Sequence, residues 1–422
     1  MSDYKYHIGM VLRIYPSDEQ KIIIIRNGTA ARFLYNRLVA VNNEIWKLKK
    51  TAPYSLTDAN RLVYLEDMYK DVRSIKASIP FLYEDEIDSD MVYNVVSHYR
   101  NAWKRFKTVK GTRVPTFHRF DNTYSYKTSN HYNKKATNGL TKGSVRFLDA
   151  RHLNLPKIGR IRFKGSDKKV NELLGRKDET RLGTTKIWMD QTGKCYVSLS
   201  FGSDIPFYQM EERTSNDVGL DVNLSNFYTD SNGNKIESPK YLIRSEKKLK
   251  KMQRRLSRKQ EAAKKDGVKF YKRKKYAKLR KKIAELHKHI AAQRKEFHRC
   301  LVSQIVKKYD FIFAENLKVH NLKRNHKLAK HISDSGWRQF LTILQWGANK
   351  RGKLCLLVDP KNTTQTCSHC GHVCAGSEHI ELGIEEWDCP QCGTHHIRDH
   401  NAAINIRNSG LQILKEAGLI PA

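Results

Sequence analysis

Residues 219–233 read Gly-Leu-Asp-Val-Asn-Leu-Ser-Asn-Phe-Tyr-Thr-Asp-Ser-Asn-Gly, and they predict the centre of the fold. Val218, Leu220 and Val222 alternate with residues that face the other side, which predicts a strand. A second strand follows, and the Asp, Ser, Asn and Gly at its end predict a turn. The first strand carries Asp221, although Asp disfavours strands and is costly to bury. Taken alone, Asp221 is best interpreted as a cap or a solvated strand end.

The composition indicates a polyanionic partner. The chain has 422 residues, enough for two to four domains, and 79 Lys and Arg against 43 Asp and Glu give a net charge of +36. A fold does not require such an imbalance, and its spread along the chain suits nucleic acid better than a membrane surface. We find no apolar run near the length of a membrane span and no signal-peptide pattern at Met1–Lys5.

Four cysteines have the spacing of a metal site. Cys367 and Cys370 form one Cys-x-x-Cys pair, Cys389 and Cys392 form another, and 18 residues separate the pairs. Without an export signal this pattern favours a metal over disulfides, and four thiolates predict a closed, tetrahedral, structural zinc site. Five nearby residues are expected not to bind the metal: Cys374, His369, His372, His395 and His396.

The first half of the chain divides into a helical part and a strand-rich part. Ser17 is a suitable N-cap, and apolar residues at three- and four-residue steps predict helices through residues 16–110. Short strands separated by Gly, Pro and Asn turns predict a small β-barrel from residues 1–15 and 111–210. The polar and aromatic residues 124–130 are predicted to form a loop.

The most basic part of the chain, residues 244–299, contains 24 Lys and Arg against 5 Asp and Glu. Apolar residues recur at three- and four-residue steps on both sides of Gly267, which predicts an antiparallel helical hairpin with a narrow apolar seam. A charged face usually only meets solvent. Here nearly all charges have one sign and repel one another, which favours an anionic partner.

Two further carboxylates stand at the ends of predicted elements. The apolar strand 311–315 ends at Glu315, and Asp399 opens a helix whose apolar positions face the sheet. With a helix and a strand at 354–358 between them, the elements predict a mixed α/β sheet. An Asp at a helix start is usually a cap. Together with Asp221, however, these carboxylates can meet at one sheet edge and hold two divalent cations, for which Mg²⁺ is well suited.

Four motifs occur in the second half of the chain: Gly-Leu-Asp-Val-Asn at 219–223, Ala-Glu-Asn-Leu-Lys-Val at 314–319, Val-Asp-Pro-Lys-Asn-Thr-Thr-Gln-Thr-Cys-Ser-His-Cys-Gly at 358–371 and Arg-Asp-His-Asn-Ala-Ala at 398–403. By these motifs the sequence resembles the TnpB family, the RNA-guided nucleases of bacterial and archaeal insertion sequences, held to be ancestral to the type V CRISPR effectors. The resemblance covers nearly the whole chain, although the middle is similar only in layout. The opening residues, with Tyr15-Pro16 and Phe33-Leu34-Tyr35-Asn36, are similar to the family's N-terminus.

The resemblance implies a multidomain α/β protein whose nuclease domain has a mixed sheet of the RNase H-like (RuvC) type. The implied domains are a wedge β-barrel (1–15 and 111–210), a helical recognition domain (16–110), the nuclease domain (211–361 and 393–408) with the basic hairpin (244–299), a zinc ribbon (362–392) and a C-terminal tail without fixed structure (409–422). One residue departs from the family, which often has Gly at the position of Asn223.

The resemblance also implies an activity. Asp221, Glu315 and Asp399 would be the catalytic carboxylates and the ligands of Mg²⁺ in a two-metal site, with Zn²⁺ as a structural ion. The enzyme would cleave double-stranded DNA beside a short transposon-associated motif, leaving 5′-phosphate and 3′-hydroxyl ends. Its partners would be the target DNA and a guide RNA derived from the transposon end. We expect a monomeric protein in a cytoplasmic, nucleoid-associated ribonucleoprotein, with no membrane.

Three alternatives remain open at this point. A nuclease-inactive, RNA-guided repressor would bind DNA without cutting it, although the complete set of carboxylates disfavours it. A DNA-strand transferase would use the same kind of sheet and would join DNA ends. A miniature type V CRISPR effector would share the chemistry and differ in its genomic context.

Overall fold

The structure is a computed structural model of the chain. It describes residues 4–420 except 52–54, 133–138, 166, 213, 318, 323 and 382. The described residues form two compact units, which divide between Phe207 and Tyr208.

The first unit opens with strand β1 (Tyr6–Tyr15) and helix α1 (Asp18–Lys50). As predicted, Ser17 is the N-cap of α1: its hydroxyl accepts a hydrogen bond from the Gln20 backbone N–H, and the Gln20 side chain accepts one from the Ser17 N–H. The apolar face of α1 is buried in the core of this unit. The next helices are α2 (Leu56–Lys70), α3 (Val72–Ala77) and α4 (Ser89–Thr108).

A seven-stranded antiparallel sheet forms the rest of the first unit, in the order β2-β6-β7-β1-β5-β4-β3. Its strands and one helix are β2 (Tyr124–Thr128), β3 (Arg146–Phe147), β4 (His152–Leu155), β5 (Gly159–Lys164), α5 (Asp167–Gly175), β6 (Arg181–Met189) and β7 (Cys195–Ser203). The Ser144 N–H donates to the His131 carbonyl at 3.0 Å, beside the two ends of the sheet. The sheet is therefore curled, with its ends joined by this contact.

The prediction of a loop at residues 124–130 was wrong, because residues 124–128 form β2. Tyr126 and Thr128 are buried, with α1 and α4 packed against the strand. The polar and aromatic side chains of this segment therefore alternate between the interior and the surface, which the composition alone did not indicate. Helix α5 was also not predicted.

The second unit is built on a mixed sheet, as predicted. The sheet has five strands in the order β10-β9-β8-β11-β12. Its strands are β8 (Asp217–Asp221), β9 (Tyr228–Asp230), β10 (Lys235–Ile236), β11 (Phe311–Glu315) and β12 (Leu354–Val358). Strands β8, β11 and β12 run in parallel, while β9 pairs antiparallel with both β8 and β10.

Helices α6 (Tyr241–Lys265) and α7 (Lys274–Lys308) form the predicted basic hairpin. The hairpin is longer than the predicted 244–299. Its second helix continues because Leu301, Val302 and Ile305 pack into the core of the unit. Three helices follow: α8 (Val319–Leu322), α9 (His326–Ser335) and α10 (Trp337–Asn349). None of the helices that the structure describes is both long and apolar enough to cross a membrane.

The last elements are a small hairpin of β13 (Glu386–Asp388) and β14 (His395–Ile397), followed by α11 (Arg398–Glu416). The expectation that a tail without fixed structure begins at residue 409 was wrong. Helix α11 continues to Glu416 because Leu414 is buried in a cluster with Phe311, Phe313 and Val358.

Candidate functional site

Helix α11 packs on the face of the sheet that carries the strand-end carboxylates. A Cβ added at Gly219 would lie 2.1 Å from the Ala403 carbonyl, and one added at Gly410 would lie 2.0 Å from the Phe313 ring, so glycine is needed at both contacts. Gly219 and Phe313 are partners in neighbouring strands. Two residues further along, on the same face, the strands end at Asp221 and Glu315.

The structure brings the three predicted carboxylates together. Strands β8 and β11 pair with Leu220 opposite Ala314, so Asp221 and Glu315 leave the sheet side by side. Asp399 lies in the first turn of α11 and is joined to Asp221 through a shared side chain, Asn223. Asp221 and Glu315 are buried, with only 6% and 7% of their surfaces exposed, while Asp399 is partly buried.

The electrostatics of this cluster suit a divalent cation. Burial, followed by the charges of Glu315 and Asp399, raises the pKa of Asp221 to about 8. Burial also raises the pKa of Glu315, and a hydrogen bond from Thr363 partly opposes this shift. The pKa of Asp399 is raised by burial as well, although the positive charges of Arg398 and Lys235 act to lower it. Ionising three carboxylates that lie close together costs free energy, and a bound cation would reduce this cost. Carboxylate oxygens are ligands that Mg²⁺ favours.

A hydrogen-bonded loop orients Glu315. The Thr363 hydroxyl, which is buried, donates to Glu315 Oε1 at 2.6 Å. The carbonyl of Thr363 in turn accepts a hydrogen bond from Asn405 Nδ2 at 2.9 Å. Asn401, one turn earlier on α11, donates to the Thr366 carbonyl at 2.8 Å and accepts from the Ser368 N–H at 2.9 Å. Helix α11 thus positions both Asp399 and the loop that contacts Glu315.

The four predicted cysteines also converge. The sulfurs of Cys367, Cys370, Cys389 and Cys392 all lie within 4.8 Å of one another, with distances of 3.7 Å for Cys367–Cys392 and 3.6 Å for Cys370–Cys389. A tetrahedron of sulfurs about 2.3 Å from a zinc ion has edges of about 3.8 Å. The cluster therefore has the dimensions of a zinc site. Cys374 does not belong to this group of four.

The histidines near the cysteines make other contacts. His372 pairs with Glu378 and His395 with Asp388, both at 2.8 Å. His396 Nε2 lies 3.0 Å from Cys367 Sγ, and its ring packs on Trp387 with the ring centres 4.6 Å apart. His396 therefore touches the sulfur cluster from outside the group of four cysteines.

A cationic groove runs between helices α6 and α7. It has a volume of about 700 Å³. Its walls include six cationic residues: Lys248, Arg255, Lys259, Lys275, Lys278 and Lys282. Met252, Leu279 and Leu286 of the predicted apolar seam also line it, so the groove combines apolar and cationic side chains.

Sequence reasoning missed the residues that connect the carboxylates. It noted Asn223 only as a departure from a family pattern, and it gave no part to Thr363, Asn401 or Asn405. The sequence held one usable indication: Asn401 and Asn405 are four residues apart, on one face of the helix that Asp399 opens.

The fold and these sites define a class of protein: a strongly basic α/β chain with carboxylates gathered at one edge of its mixed sheet and a cluster of four cysteines with the dimensions of a metal site. Three family models match it. The model described as "Probable transposase" (OrfB of IS605) matches residues 199–326, "Helix-turn-helix domain" matches 7–51, and "Cas12f1-like, TNB domain" matches 337–406.

Two relatives are similar over nearly the whole chain. A protein of Streptomyces pristinaespiralis is 26% identical over 400 residues, covering 94% of this chain and 88% of the relative. InsQ of Escherichia coli K12 is 24% identical over 420 residues, covering 95% of this chain and 92% of the relative. Both bear the name "Putative RNA-guided DNA endonuclease". These matches confirm the resemblance to the TnpB family of insertion-sequence proteins that the motifs indicated.

Two solved structures are similar at lower identity. "Cryo-EM structure of the Cas12f1-sgRNA-target DNA complex" aligns at 12% identity with a TM-score of 0.48, covering 96% of this chain and 99% of that one. "Structure of the mini-RNA-guided endonuclease CRISPR-Cas_phi3" aligns at 9% identity with a TM-score of 0.49, covering 97% and 93%. Because both TM-scores are below 0.5, no conclusion about this chain rests on these structural similarities.

Proposed function

We propose that this chain is an RNA-guided DNA endonuclease of an insertion sequence, which cleaves double-stranded DNA beside a short transposon-associated motif. The observation that carries the proposal is the meeting of Asp221, Glu315 and Asp399, from three distant parts of the sequence, at one edge of the mixed sheet. In a chain with a net charge of +36, such an acidic cluster is an exception that suits metal-dependent chemistry on nucleic acid.

The three carboxylates would hold Mg²⁺, and the sheet would be of the RNase H-like (RuvC) type. When bound, a pair of such ions supplies a more acidic water and stabilises the leaving oxygen of a phosphodiester. The protein's own part is to hold the carboxylates in place: β8 and β11 fix Asp221 and Glu315, and the first turn of α11 fixes Asp399. Arg398 and Lys235 provide positive charge near Asp399, where a phosphate group would approach.

The groove of the α6–α7 hairpin would hold the backbone of the guide RNA or of its duplex with target DNA. Six cations line it, and neutralising phosphates with Lys and Arg releases counterions. We therefore expect affinity for nucleic acid to fall steeply as salt concentration rises. Because base pairing with the guide reads the sequence, this surface needs only backbone contacts.

In the first unit, the helices and the curled sheet would serve as the recognition and wedge domains that the family resemblance implies. A cavity of about 460 Å³ lies among α1, α4, β2 and β6. Four of its lining residues, Arg32, Arg119, Lys127 and Lys186, are cationic. This supports a contact with the phosphates of duplex DNA, and the ribonucleoprotein would act in the cytoplasm, where prokaryotic DNA lies.

The four cysteines would hold a structural Zn²⁺, because four thiolates leave no open position for a substrate. Cys389→Ser should lower stability and cleavage together, since the cysteine region leads directly into β14 and α11, which carries Asp399. Zinc content measured by mass spectrometry and thermal unfolding of the same preparations would check this. Cys374→Ser, outside the four, is the control and should retain one zinc per chain. If Cys389→Ser kept the zinc, the assignment would be wrong.

The proposal is tested by sequencing the RNA that copurifies with the chain and using it in a plasmid-cleavage assay with Mg²⁺. We expect a defined RNA and cleavage at sites that match its guide segment. Asp399→Ala should bind the same RNA and target within a few fold and should not cut. Joined rather than cleaved products would indicate a strand transferase, and guided binding without cutting by the wild type would indicate a repressor.

A further inference from the structure

Asn223 lies between two of the three carboxylates. Its side-chain Nδ2 donates to Asp399 Oδ2 at 2.9 Å and lies 3.5 Å from Asp221 Oδ2. These carboxylates come from β8 and from a helix that begins 177 positions after β8 ends. A single amide group therefore connects parts of the cluster that share no backbone hydrogen bond in the described structure.

The orientation of this amide is fixed from its other side. Asn223 Oδ1 accepts a hydrogen bond from the Asn226 backbone N–H at 2.8 Å and one from the Ser225 hydroxyl at 3.2 Å. Only an oxygen can accept from a backbone N–H, so the opposite atom, which faces the carboxylates, must be the NH₂ group. The turn that follows β8 thus aims the NH₂ group at the carboxylate cluster, where the Thr229 hydroxyl also lies 3.4 Å from Nδ2.

Capping the turn does not explain all the contacts of the Asn223 side chain. The turn uses Oδ1 alone, and an aspartate would serve it equally well. At Asn223, however, an aspartate would add a fourth negative charge next to carboxylates whose charges are already crowded. The uncharged NH₂ donor is the one isosteric choice that both completes the turn and stabilises the charges beside it.

We propose that Asn223 is a positioning residue that holds the Asp399 and Asp221 carboxylates in the orientation in which they bind divalent cations. The inference rests on the proposed function, since it assigns Asn223 a part in that same site. By donating to one oxygen of Asp399, Asn223 leaves the other oxygen, Oδ1, available as a ligand. Hydrogen bonds to ligating carboxylates are worth about 10- to 100-fold in metal affinity.

The test compares four variants of the full-length chain, freed of nucleic acid, with Mn²⁺ as the probe and electron paramagnetic resonance as the measure of binding. Asn223→Ala should weaken Mn²⁺ binding by about tenfold or more. Ser225→Ala, which alters the same turn without touching a carboxylate, should bind Mn²⁺ as the wild type does. In cleavage assays, Asn223→Ala should need correspondingly more Mg²⁺ for half-maximal rate but approach the wild-type rate at saturation.

Asn223→Asp separates the two roles of the side chain. It keeps the acceptor that the turn needs, so a structural role predicts an unchanged thermal midpoint without metal. A positioning role predicts that Asn223→Asp has the lowest thermal unfolding midpoint of the four variants, because its new carboxylate faces the other carboxylates. It also predicts the largest increase of this midpoint when Mn²⁺ is added. A wild-type midpoint for Asn223→Asp, or wild-type Mn²⁺ affinity for Asn223→Ala, would overturn the inference.

The fourth variant, Asp221→Ala, distinguishes failure of the inference from failure of the proposed function. If the wild type binds no more Mn²⁺ than Asp221→Ala, the carboxylate site itself is absent and both proposals fail. If the wild type binds more than Asp221→Ala, and Asn223→Ala equals the wild type, the inference alone fails.

Discussion

Strand β11 has a buried carboxylate at each end, and the two are held in opposite ways. Asp310, just before the strand, is 1% exposed and lies 3.0 Å from the Lys353 ammonium. It also accepts hydrogen bonds from the N–H groups of Thr214 and Ser215 and from the Thr214 hydroxyl. Burial alone would raise the pKa of Asp310, but Lys353 and Thr214 hold it below the ordinary value.

Glu315, at the other end of the strand, has no such cation among the residues that the structure describes. Its side chain is 7% exposed and accepts one hydrogen bond, from the neutral hydroxyl of Thr363. Its neighbour in the sheet is Asp221, another carboxylate, and burial raises the pKa of Glu315 above the ordinary value. Burial is therefore similar at the two ends, and the partners differ. A buried carboxylate with a protein cation is structural, whereas one facing other carboxylates is a candidate for metal chemistry.

The largest expected effect is on cleavage, at the Glu315 end. Glu315→Ala should reduce guided plasmid cleavage to background while leaving the free energy of unfolding unchanged or raised, because it removes one of several crowded charges. Cleavage and urea unfolding measured on the same preparations would check this. Glu172→Ala, which removes an exposed carboxylate of helix α5, is the matched control and should still cut. If Glu315→Ala still cut DNA, the distinction between a structural Asp310 and a functional Glu315 would be wrong.

Asp310→Ala should act on stability instead. Of the described residues, only Glu211, at 3.6 Å, then remains to pair with the buried Lys353. Breaking a buried ion pair costs about 3–5 kcal/mol. Because the pKa of Asp310 is lowered, its contribution is present above the ordinary Asp value of 3.8 and is lost as the pH falls through the lowered value. Urea unfolding at neutral and acidic pH measures both effects.

The control for Asp310 replaces both partners. Asp310→Leu combined with Lys353→Met removes the ion pair without leaving a charge behind, so it should recover much of the lost stability. The cleavage rate per folded molecule should stay near wild type in both variants. A loss of cleavage with full stability would mean that Asp310 belongs to the functional site.

The smallest expected effect is at Thr363. Thr363→Val keeps nearly the same shape but loses the hydrogen bond to Glu315, and a hydrogen bond to a charged group is worth about 1.5–3 kcal/mol. We expect the cleavage rate at saturating Mg²⁺ to fall about tenfold, which corresponds to about 1.4 kcal/mol. Thr364→Val, at the next position, should have no such effect. Equal rates in the two variants would show that Glu315 does not depend on its hydroxyl partner.

The sequence predicted the elements that depend on local pattern. Residues 311–315 and 354–358 were predicted as strands and are strands with those bounds, because each is a short apolar run stopped by polar residues. The cysteine cluster followed from two Cys-x-x-Cys pairs, and the helical hairpin from apolar spacing around Gly267.

What could not be predicted depends on tertiary contacts. In the sequence, Asp310 and Glu315 are equivalent acids at the ends of one strand, and only the folded chain brings Lys353 to the first. Asn223 and Thr363 are ordinary polar loop residues until α11 and the loop after β12 bring them to the carboxylates. The end of α11 was missed because Leu414 finds its apolar partners on strands far away in sequence.

The most direct measurement is the anomalous scattering of Mn²⁺ in crystals of the full-length chain. We predict density peaks bounded by the carboxylates of Asp221, Glu315 and Asp399, and none beside Asp310. An empty carboxylate cluster in crystals of a preparation that still cuts DNA would contradict the assignment of these residues as the metal-holding site.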